Sequence, residues 1–342
     1  MKHKIQYISL LSILSCYAVV QLHANVCFWT FSKEGYWITA NIIECLFYFA
    51  VPIFFMITGA TLIDYREKYD TKTFFKKRIS KTLIPFITWS IIGILYNLIK
   101  NPLYLNGKSI AMIISDIINC NIISIYWFFI PLFSIYLSIP LLSLIPKDKR
   151  KTIFNYAIII SFFTISLLPT LFKLFGIQYN YEFTISVTSG YLIYILLGYN
   201  LSHYDLMVNT RRVIYGLSLA GLIIHIYGTY YLSFVYGQII DIFKGYTNFP
   251  CVLYSIGIFV LFRYMEIPEK ISHFIKKILF MERYTFSIYL AHYFIIDIIV
   301  SLFNINVLSI VYRLISPLVI IAISIGVVKI IRKIPFAEKI VP

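Results

Sequence analysis

Five ionisable side chains fall inside long apolar runs of this 342-residue sequence: His23, Glu44, His225, His292 and Asp297. Ionisable groups are costly inside a membrane, so each of them is a candidate functional residue. A neutral imidazole at His23 could take a proton from a hydroxyl near neutral pH, which is the work of a general base. A histidine at a helix end can also lie simply among lipid headgroups. The sequence leaves both interpretations open.

Two further residues bear on the chemistry of His23. Glu44 lies near the start of the next apolar run, which is antiparallel to the first, so the two side chains should lie at similar depth. A carboxylate there could orient the imidazole and stabilise its charged form, or it could reach the outer headgroups. His292 lies in the middle of its run, with Tyr289 one turn away. These two residues either line a polar substrate channel or hydrogen-bond a neighbouring helix.

A basic loop provides the other chemical signal. Seven Lys/Arg occur between Arg66 and Lys81. Arg78 and Lys81 are three residues apart at the start of an apolar run, so they should share a helix face, and Lys77 is adjacent. Two cations at a helix end suit a phosphate-bearing ligand, which Arg binds through its planar fork and Lys as a point charge. Such a cluster is equally typical of a loop that only fixes membrane topology.

The composition indicates whether these groups are surrounded by water or by lipid. The chain is 60% hydrophobic and 13% charged, with a mean hydropathy of +0.81, which predicts a membrane protein. The net charge of +15 is confined to short loops between apolar runs, so we expect no nucleic-acid partner. The five cysteines include no C-x-x-C pair, so neither a metal site nor a disulfide framework is expected.

The apolar runs predict an all-α integral membrane protein in which residues 1–342 form one membrane-embedded domain. A span needs about 20 apolar residues, and residues 109–123 are too short, so we expect an outer interfacial helix there. Ten runs qualify as transmembrane helices: about 5–24, 39–62, 82–99, 126–145, 152–171, 187–202, 213–233, 248–264, 284–303 and 311–331.

The distribution of basic residues orients these spans. With the N-terminus inside, inner segments contain 24 Lys/Arg and outer segments contain six: Lys33, Lys100, Lys108, Lys173, Lys244 and Arg313. Cytoplasmic loops retain Lys and Arg, so this asymmetry predicts that both termini are cytoplasmic.

Several motifs occur in a characteristic order along the chain. His23 is followed by FFMITG at 54–59, by RISK at 78–81 and by TLIP at 82–85. Later come YWFFIPLFSIYLSIPLL at 126–142, GYLIYILLG at 190–198 and TFSIYLAH at 285–292. Together they resemble the acyltransferase-3 family of integral membrane acyltransferases over about residues 5–332.

The resemblance implies a multi-pass protein of the plasma (inner) membrane that acts as an O-acyltransferase. Its donor would be an acyl-CoA, usually acetyl-CoA, used as a substrate rather than held as a permanent cofactor. Its acceptor would be a hydroxyl of a surface or lipid-linked glycan. The family histidine falls on His23, the expected general base, and Glu44 remains its candidate orienter from depth alone. The cationic pair that would hold the donor's phosphates falls on Arg78 and Lys81, with Lys77 beside them.

Two serines stand where the family has a charge pair, because Ser9 replaces an acidic residue and Ser12 an arginine. Ser12 and His23 are eleven residues apart, so steps of about 100° bring them within about 20° of one another. We therefore expect Ser12 to face the same channel as His23. The loss of both charges favours an alternative, a non-catalytic family member that binds or translocates a lipid-linked sugar.

Overall fold

The structure is a computed structural model that describes residues 2–183, 190–335 and 337–341. These residues form α-helices, short 3₁₀ and π turns and loops, with no β-strand among them. The α-helices are α1 (Lys2–Ala24), α2 (Gly35–Phe47), α3 (Ala50–Leu62), α4 (Thr71–Arg78), α5 (Ile84–Lys100), α6 (Ile110–Ile118), α7 (Phe129–Ser143), α8 (Lys147–Ser161), α9 (Leu168–Leu174), α10 (Leu192–His203), α11 (Val208–Tyr236), α12 (Phe249–Tyr264), α13 (Glu269–Ile278), α14 (Thr285–Phe303) and α15 (Ile310–Ile331).

Eight helical stretches in the described residues are long and apolar enough to cross a membrane, which confirms the predicted all-α membrane fold. They account for eight of the ten predicted spans. They are Gln6–Ala24, Gly35–Glu67, Thr71–Lys100, Ser124–Ser143, Lys147–Leu174, Val208–Tyr236, Ser272–Phe303 and Ile310–Ile331.

The sixth and eighth predicted spans correspond to helices that are too short to be counted among these eight, although α12 matches its predicted bounds within one residue. Helix α12 has 16 residues and α10 has 12, and α10 therefore rises only about 18 Å against a hydrocarbon core of about 30 Å. Part of the predicted span 187–202 lies outside the described residues. A short helix is tolerated here because residues 193–202 of α10 are buried within the protein, where neighbouring segments rather than lipid surround the backbone.

Helix α6 is also short, as predicted for the segment 109–123. It has nine residues and is capped by Ser109, whose hydroxyl accepts a hydrogen bond from the amide of Met112. Ile110 and Ile118 are exposed. Its length rules out a crossing by this helix alone.

Helices α3 and α10 touch backbone to backbone at two glycines. A Cβ atom on Gly198 would lie 1.9 Å from the carbonyl oxygen of Met56, and one on Gly59 would lie 2.0 Å from that of Ile195. Small residues let membrane helices approach this closely. The glycines that end the motifs at 54–59 and 190–198 are therefore packing partners.

The stretch Gly35–Glu67 is a broken helix, because α2 ends at Phe47 and α3 begins at Ala50. Pro52 has no backbone N–H, so the carbonyl of Tyr48 lacks a helical partner. Helix α12 supplies donors at the break: the thiol of Cys251 lies 3.8 Å from the Tyr48 carbonyl oxygen, and the Tyr254 hydroxyl donates to the Leu46 carbonyl. The break fixes the direction of Tyr48, which faces the cavity described next.

Candidate active site

A cavity of about 610 Å³ lies where the predicted outer ends of the helices meet. Its walls come from the end of α1, the broken α2–α3 stretch, residues 124–128, the loop before α12, the second half of α14 and the start of α15. His23, Glu44 and Tyr289 all line it. The alternating helix directions expected from the sequence therefore agree with the structure, although which side of the membrane this end faces stays a prediction.

His23, which lines the cavity, is hydrogen-bonded to His292, which lies outside the lining. Nδ1 of His23 lies 2.8 Å from Nε2 of His292, and the rings are stacked at 4.9 Å. Nδ1 of His292 lies 3.1 Å from the carbonyl oxygen of Ile288. A carbonyl oxygen only accepts, so a neutral His292 carries its proton on Nδ1 and presents a bare Nε2. His23 must then donate from Nδ1, which leaves its own Nε2 unprotonated.

This tautomer gives His23 the form that a general base needs. In the described residues Nε2 of His23 has no hydrogen-bond partner, and the ring is only half-buried beside the cavity. His292 is fully buried. It orients His23 in the way that a third residue orients the base of a nucleophile–base pair. The sequence left open whether His292 lines a channel or hydrogen-bonds a neighbouring helix, and in the structure it bonds to His23 of α1 and is not among the residues that line the cavity.

Helix α14 is held against residues 124–128 by two reciprocal hydrogen bonds. The Tyr289 hydroxyl donates to the carbonyl of Ile125 at 2.6 Å, and the Tyr126 hydroxyl donates to the carbonyl of Leu290 at 2.7 Å. Both bonds are made by the turn of α14 that precedes His292. Tyr289, predicted to line the substrate channel, thus lines the cavity and fixes its floor.

Glu44 lies in the cavity wall, but its partners are not the histidines. Its Oε2 accepts from the side-chain amide of Asn25 at 3.3 Å, and its Oε1 lies 3.2 Å from Nζ of Lys244. The Lys244 side chain is 1% exposed, and its ammonium group lies 3.9 Å from the centre of the Tyr48 ring and 4.2 Å from that of Trp29. A buried lysine needs such a carboxylate and such ring faces.

Asn25 links this ion pair to a second buried cation. Its Oδ1 accepts from Arg313 at 3.3 Å, and its amide also donates to the carbonyl of Ala40. Arg313 is 1% exposed and donates to Thr39 Oγ1 at 2.8 Å. The end of α1, helix α2 and helix α15 are therefore joined by one polar network directly behind His23.

Asp297 supplies the second carboxylate of the cavity. It accepts a hydrogen bond from the Tyr96 hydroxyl and forms an ion pair of 2.6 Å with Lys100. The Lys100 side chain is 48% exposed, so this pair reaches solvent or headgroups, unlike the pair at Glu44. The sequence identified Asp297 as ionisable but did not place it in the same site as His23.

Ser9 and Ser12 face the turn that precedes α14. The Ser9 hydroxyl donates to Glu282 at 2.7 Å, and the Ser12 and Thr285 hydroxyls are 3.3 Å apart. Ser12 does not line the cavity of His23, whereas Thr285 lines a separate apolar cavity of about 510 Å³. A carboxylate is thus present beside position 9, although it comes from another segment.

The three cations predicted to bind donor phosphates lie around a π-helical turn, Ile79–Leu83, that joins α4 to α5. Lys77 and Lys81 are exposed, and Lys77 lies over the Tyr69 ring. Arg78 is half-buried against aromatic rings, and its Nε has no hydrogen-bond partner among the described residues. None of the three lines the cavity of His23. Their role as a phosphate site stays a prediction.

Comparison with known proteins gives one match. A family model described as an acyltransferase domain matches residues 5–329, which is nearly the whole chain. No curated protein and no solved structure matches. Among the described residues, no group of three or more His, Cys, Asp or Glu side chains is arranged to hold a metal ion.

Proposed function

The chain belongs to the acyltransferase-3 family, and from this premise we propose that it moves an acyl group, most simply acetyl, from acyl-CoA to a hydroxyl of a surface or lipid-linked glycan. The observation that carries the proposal is the bare Nε2 of His23, held towards a cavity by the hydrogen bond from its Nδ1 to His292. A multi-pass protein of the plasma membrane would have both substrates within reach.

The chemistry assigned to this geometry is general-base acyl transfer. Nε2 of His23 takes the proton of the acceptor hydroxyl as its oxygen attacks the thioester carbonyl. The tetrahedral intermediate then collapses, the carbon–sulfur bond breaks, and the proton passes from Nε2 to the leaving thiolate. The products are an ester and CoA with a free thiol, and no proton is gained or lost.

The donor is proposed to approach from the end opposite the cavity. CoA carries several negative charges on phosphate, and the charged groups facing the cavity are the carboxylates of Glu44 and Asp297. The half-buried Arg78, with its unpartnered Nε, and the exposed Lys77 and Lys81 offer cations instead. In this arrangement the thioester, rather than the nucleotide, reaches His23.

A second candidate function rests on Ser9 and Ser12. Neither supplies a charge, so the protein could bind or translocate a lipid-linked sugar without transferring an acyl group. Against this alternative, Ser9 contacts the carboxylate of Glu282, so one charge of the family pair has a substitute nearby.

The test uses the purified full-length protein in lipid nanodiscs with radiolabelled acetyl-CoA and lipid-linked glycans extracted from the producing cells. Label should appear in the glycan fraction and should fall about 10²–10⁴-fold in His23→Ala. His273→Ala, at an exposed histidine of α13, is the matched control and should retain transfer. If the protein binds the lipid-linked glycans but neither binds acetyl-CoA nor transfers label, the result supports the non-catalytic alternative.

A further inference from the structure

The cavity has an aromatic wall that the transfer chemistry does not require. The rings of Tyr48 and Tyr246 are parallel, with centres 4.1 Å apart and planes 2° apart, and Trp127 stacks on Tyr246 at 5.3 Å and 27°. All three side chains line the cavity, together with Trp29, which is 56% exposed. Aromatic faces carry partial negative charge, so they attract the slightly positive C–H groups of a flat ligand.

The cavity also has hydrogen-bond acceptors for polar groups at the edge of such a ligand. Glu44 and Asp297 are the charged lining residues, and their lysine partners, Lys244 and Lys100, do not line the cavity. An ionised carboxylate only accepts hydrogen bonds. These acceptors favour a ligand that brings hydroxyl or ammonium donors, and a negatively charged ligand would meet two carboxylates, each paired with a lysine that does not line the cavity.

An apolar face with hydroxyls around its edge describes a pyranose ring. We propose that this cavity is a subsite for a neutral or amino sugar, whose C–H face lies on Trp127 at the end of the stack and whose hydroxyls donate to Glu44 and Asp297. Acidic sugars such as uronic acids are disfavoured, because their carboxylate would face those of Glu44 and Asp297. The inference rests on the proposed function only in making this sugar the acceptor, because one hydroxyl then faces Nε2 of His23.

Binding can be measured without any acyl transfer. Trp29 and Trp127 line the cavity, so their fluorescence should report a sugar that enters it. The full-length protein in nanodiscs is titrated with methyl glucoside, methyl galactoside, methyl glucosaminide and methyl glucuronide. At least one uncharged or amino glycoside should quench saturably, and the glucuronide should bind at least about tenfold more weakly. Equal or tighter binding of the glucuronide, or no saturable quenching by any glycoside, overturns the proposal.

Variants assign the selectivity to named residues. Asp297→Asn should narrow the difference in binding affinity between neutral and acidic glycosides. The variant should still fold, because the half-exposed side chain of Lys100 can reach water. Asp241→Asn, which removes an exposed carboxylate paired with Lys173 outside the cavity, is the matched control. Unchanged selectivity in Asp297→Asn contradicts the assignment. At Glu44 both charges are removed together in Glu44→Gln/Lys244→Met, because a single change strands a buried lysine.

The aromatic wall and the base are tested separately. Trp127→Leu should weaken glycoside binding at least about tenfold, because the sugar loses the ring face against which its C–H groups pack. Tyr227→Leu, at an exposed tyrosine of α11, should not. His23→Ala should keep glycoside binding while losing transfer. Glycoside binding without transfer in the native protein would refute the acyltransferase proposal and leave the subsite standing, whereas transfer without glycoside binding would do the reverse.

Discussion

The hydrogen bond between the two histidines leads to a quantitative prediction for His292→Phe. The substitution keeps a flat ring but removes the acceptor for Nδ1–H of His23, which is 2.8 Å from Nε2 of His292. An unsatisfied buried donor costs about 1–3 kcal/mol. At about 1.4 kcal/mol for each factor of ten, transfer should fall roughly 5- to 150-fold. Loss of the base itself in His23→Ala should cost about 10²–10⁴-fold.

The measurement is the rate of CoA thiol release by the purified protein in nanodiscs, with saturating acetyl-CoA and extracted lipid-linked glycans. His292→Gln should retain more activity than His292→Phe, because its amide oxygen can accept from Nδ1–H. His225→Phe is the matched control. His225 is also fully buried, and its ring nitrogens have no hydrogen-bond partner in the described part of the chain.

The double variant His23→Ala/His292→Phe provides the decisive comparison. If His292 acts only by orienting His23, the double variant should be no slower than His23→Ala alone, since residues that work as a unit are not additive. A double variant slower by the full factor of His292→Phe would refute the reasoning, because His292 would then act independently of His23.

Three further predictions follow from the fold. Gly198→Ala should cost about 1–3 kcal/mol of stability, measured by thermal unfolding in detergent, because its methyl group meets a backbone oxygen; Gly216→Ala, which has open space, should not. A reporter fused after Lys149 should report the cytoplasm, and an exterior signal would contradict the predicted topology. Ser12→Arg should accumulate in membranes at near-native levels, because Glu282 lies one helical turn away against Ser9. Adding Glu282→Gln should reduce that level, since the arginine would then lack its neighbouring carboxylate.

Most of the fold was predictable because apolar length and loop charge are properties of the chain itself. Eight of the ten predicted spans are long apolar helices. The exceptions depend on tertiary surroundings. Helix α10 has only 12 residues because protein surrounds it, and this burial by other segments is not visible in its own sequence.

The site was only partly predictable, because depth along a helix is visible in the sequence but direction around it is not. The prediction that Glu44 lies beside His23 rested only on the similar depth of the two residues in the membrane. In the structure Glu44 turns towards Asn25 and Lys244, and His23 contacts His292 from a segment 269 residues away. Packing between distant segments decides such pairings.

One sequence signal could have revealed more of the site. In the described part of the chain, four of the six predicted outer cations form ion pairs, and a fifth, Arg313, is buried among hydrogen-bond acceptors. Among the predicted inner cations, Lys147, Arg150 and Arg263 form ion pairs with carboxylates in those residues. A cation retained on the side that disfavours it is therefore a good indicator of a structural partner. Lys244 and Lys100 are such residues, and both pair with carboxylates of the cavity.

The hydrogen-bonded chain that begins at His23 ends at the backbone carbonyl of Ile288. A peptide carbonyl cannot accept a proton at physiological pH, so this hydrogen-bonded chain cannot carry a proton away from His23. In the proposed mechanism the proton taken from the acceptor returns to the leaving sulfur. Acyl transfer at this site would then be electroneutral and would draw no work from the membrane's proton gradient, so the thioester bond itself must supply the driving force.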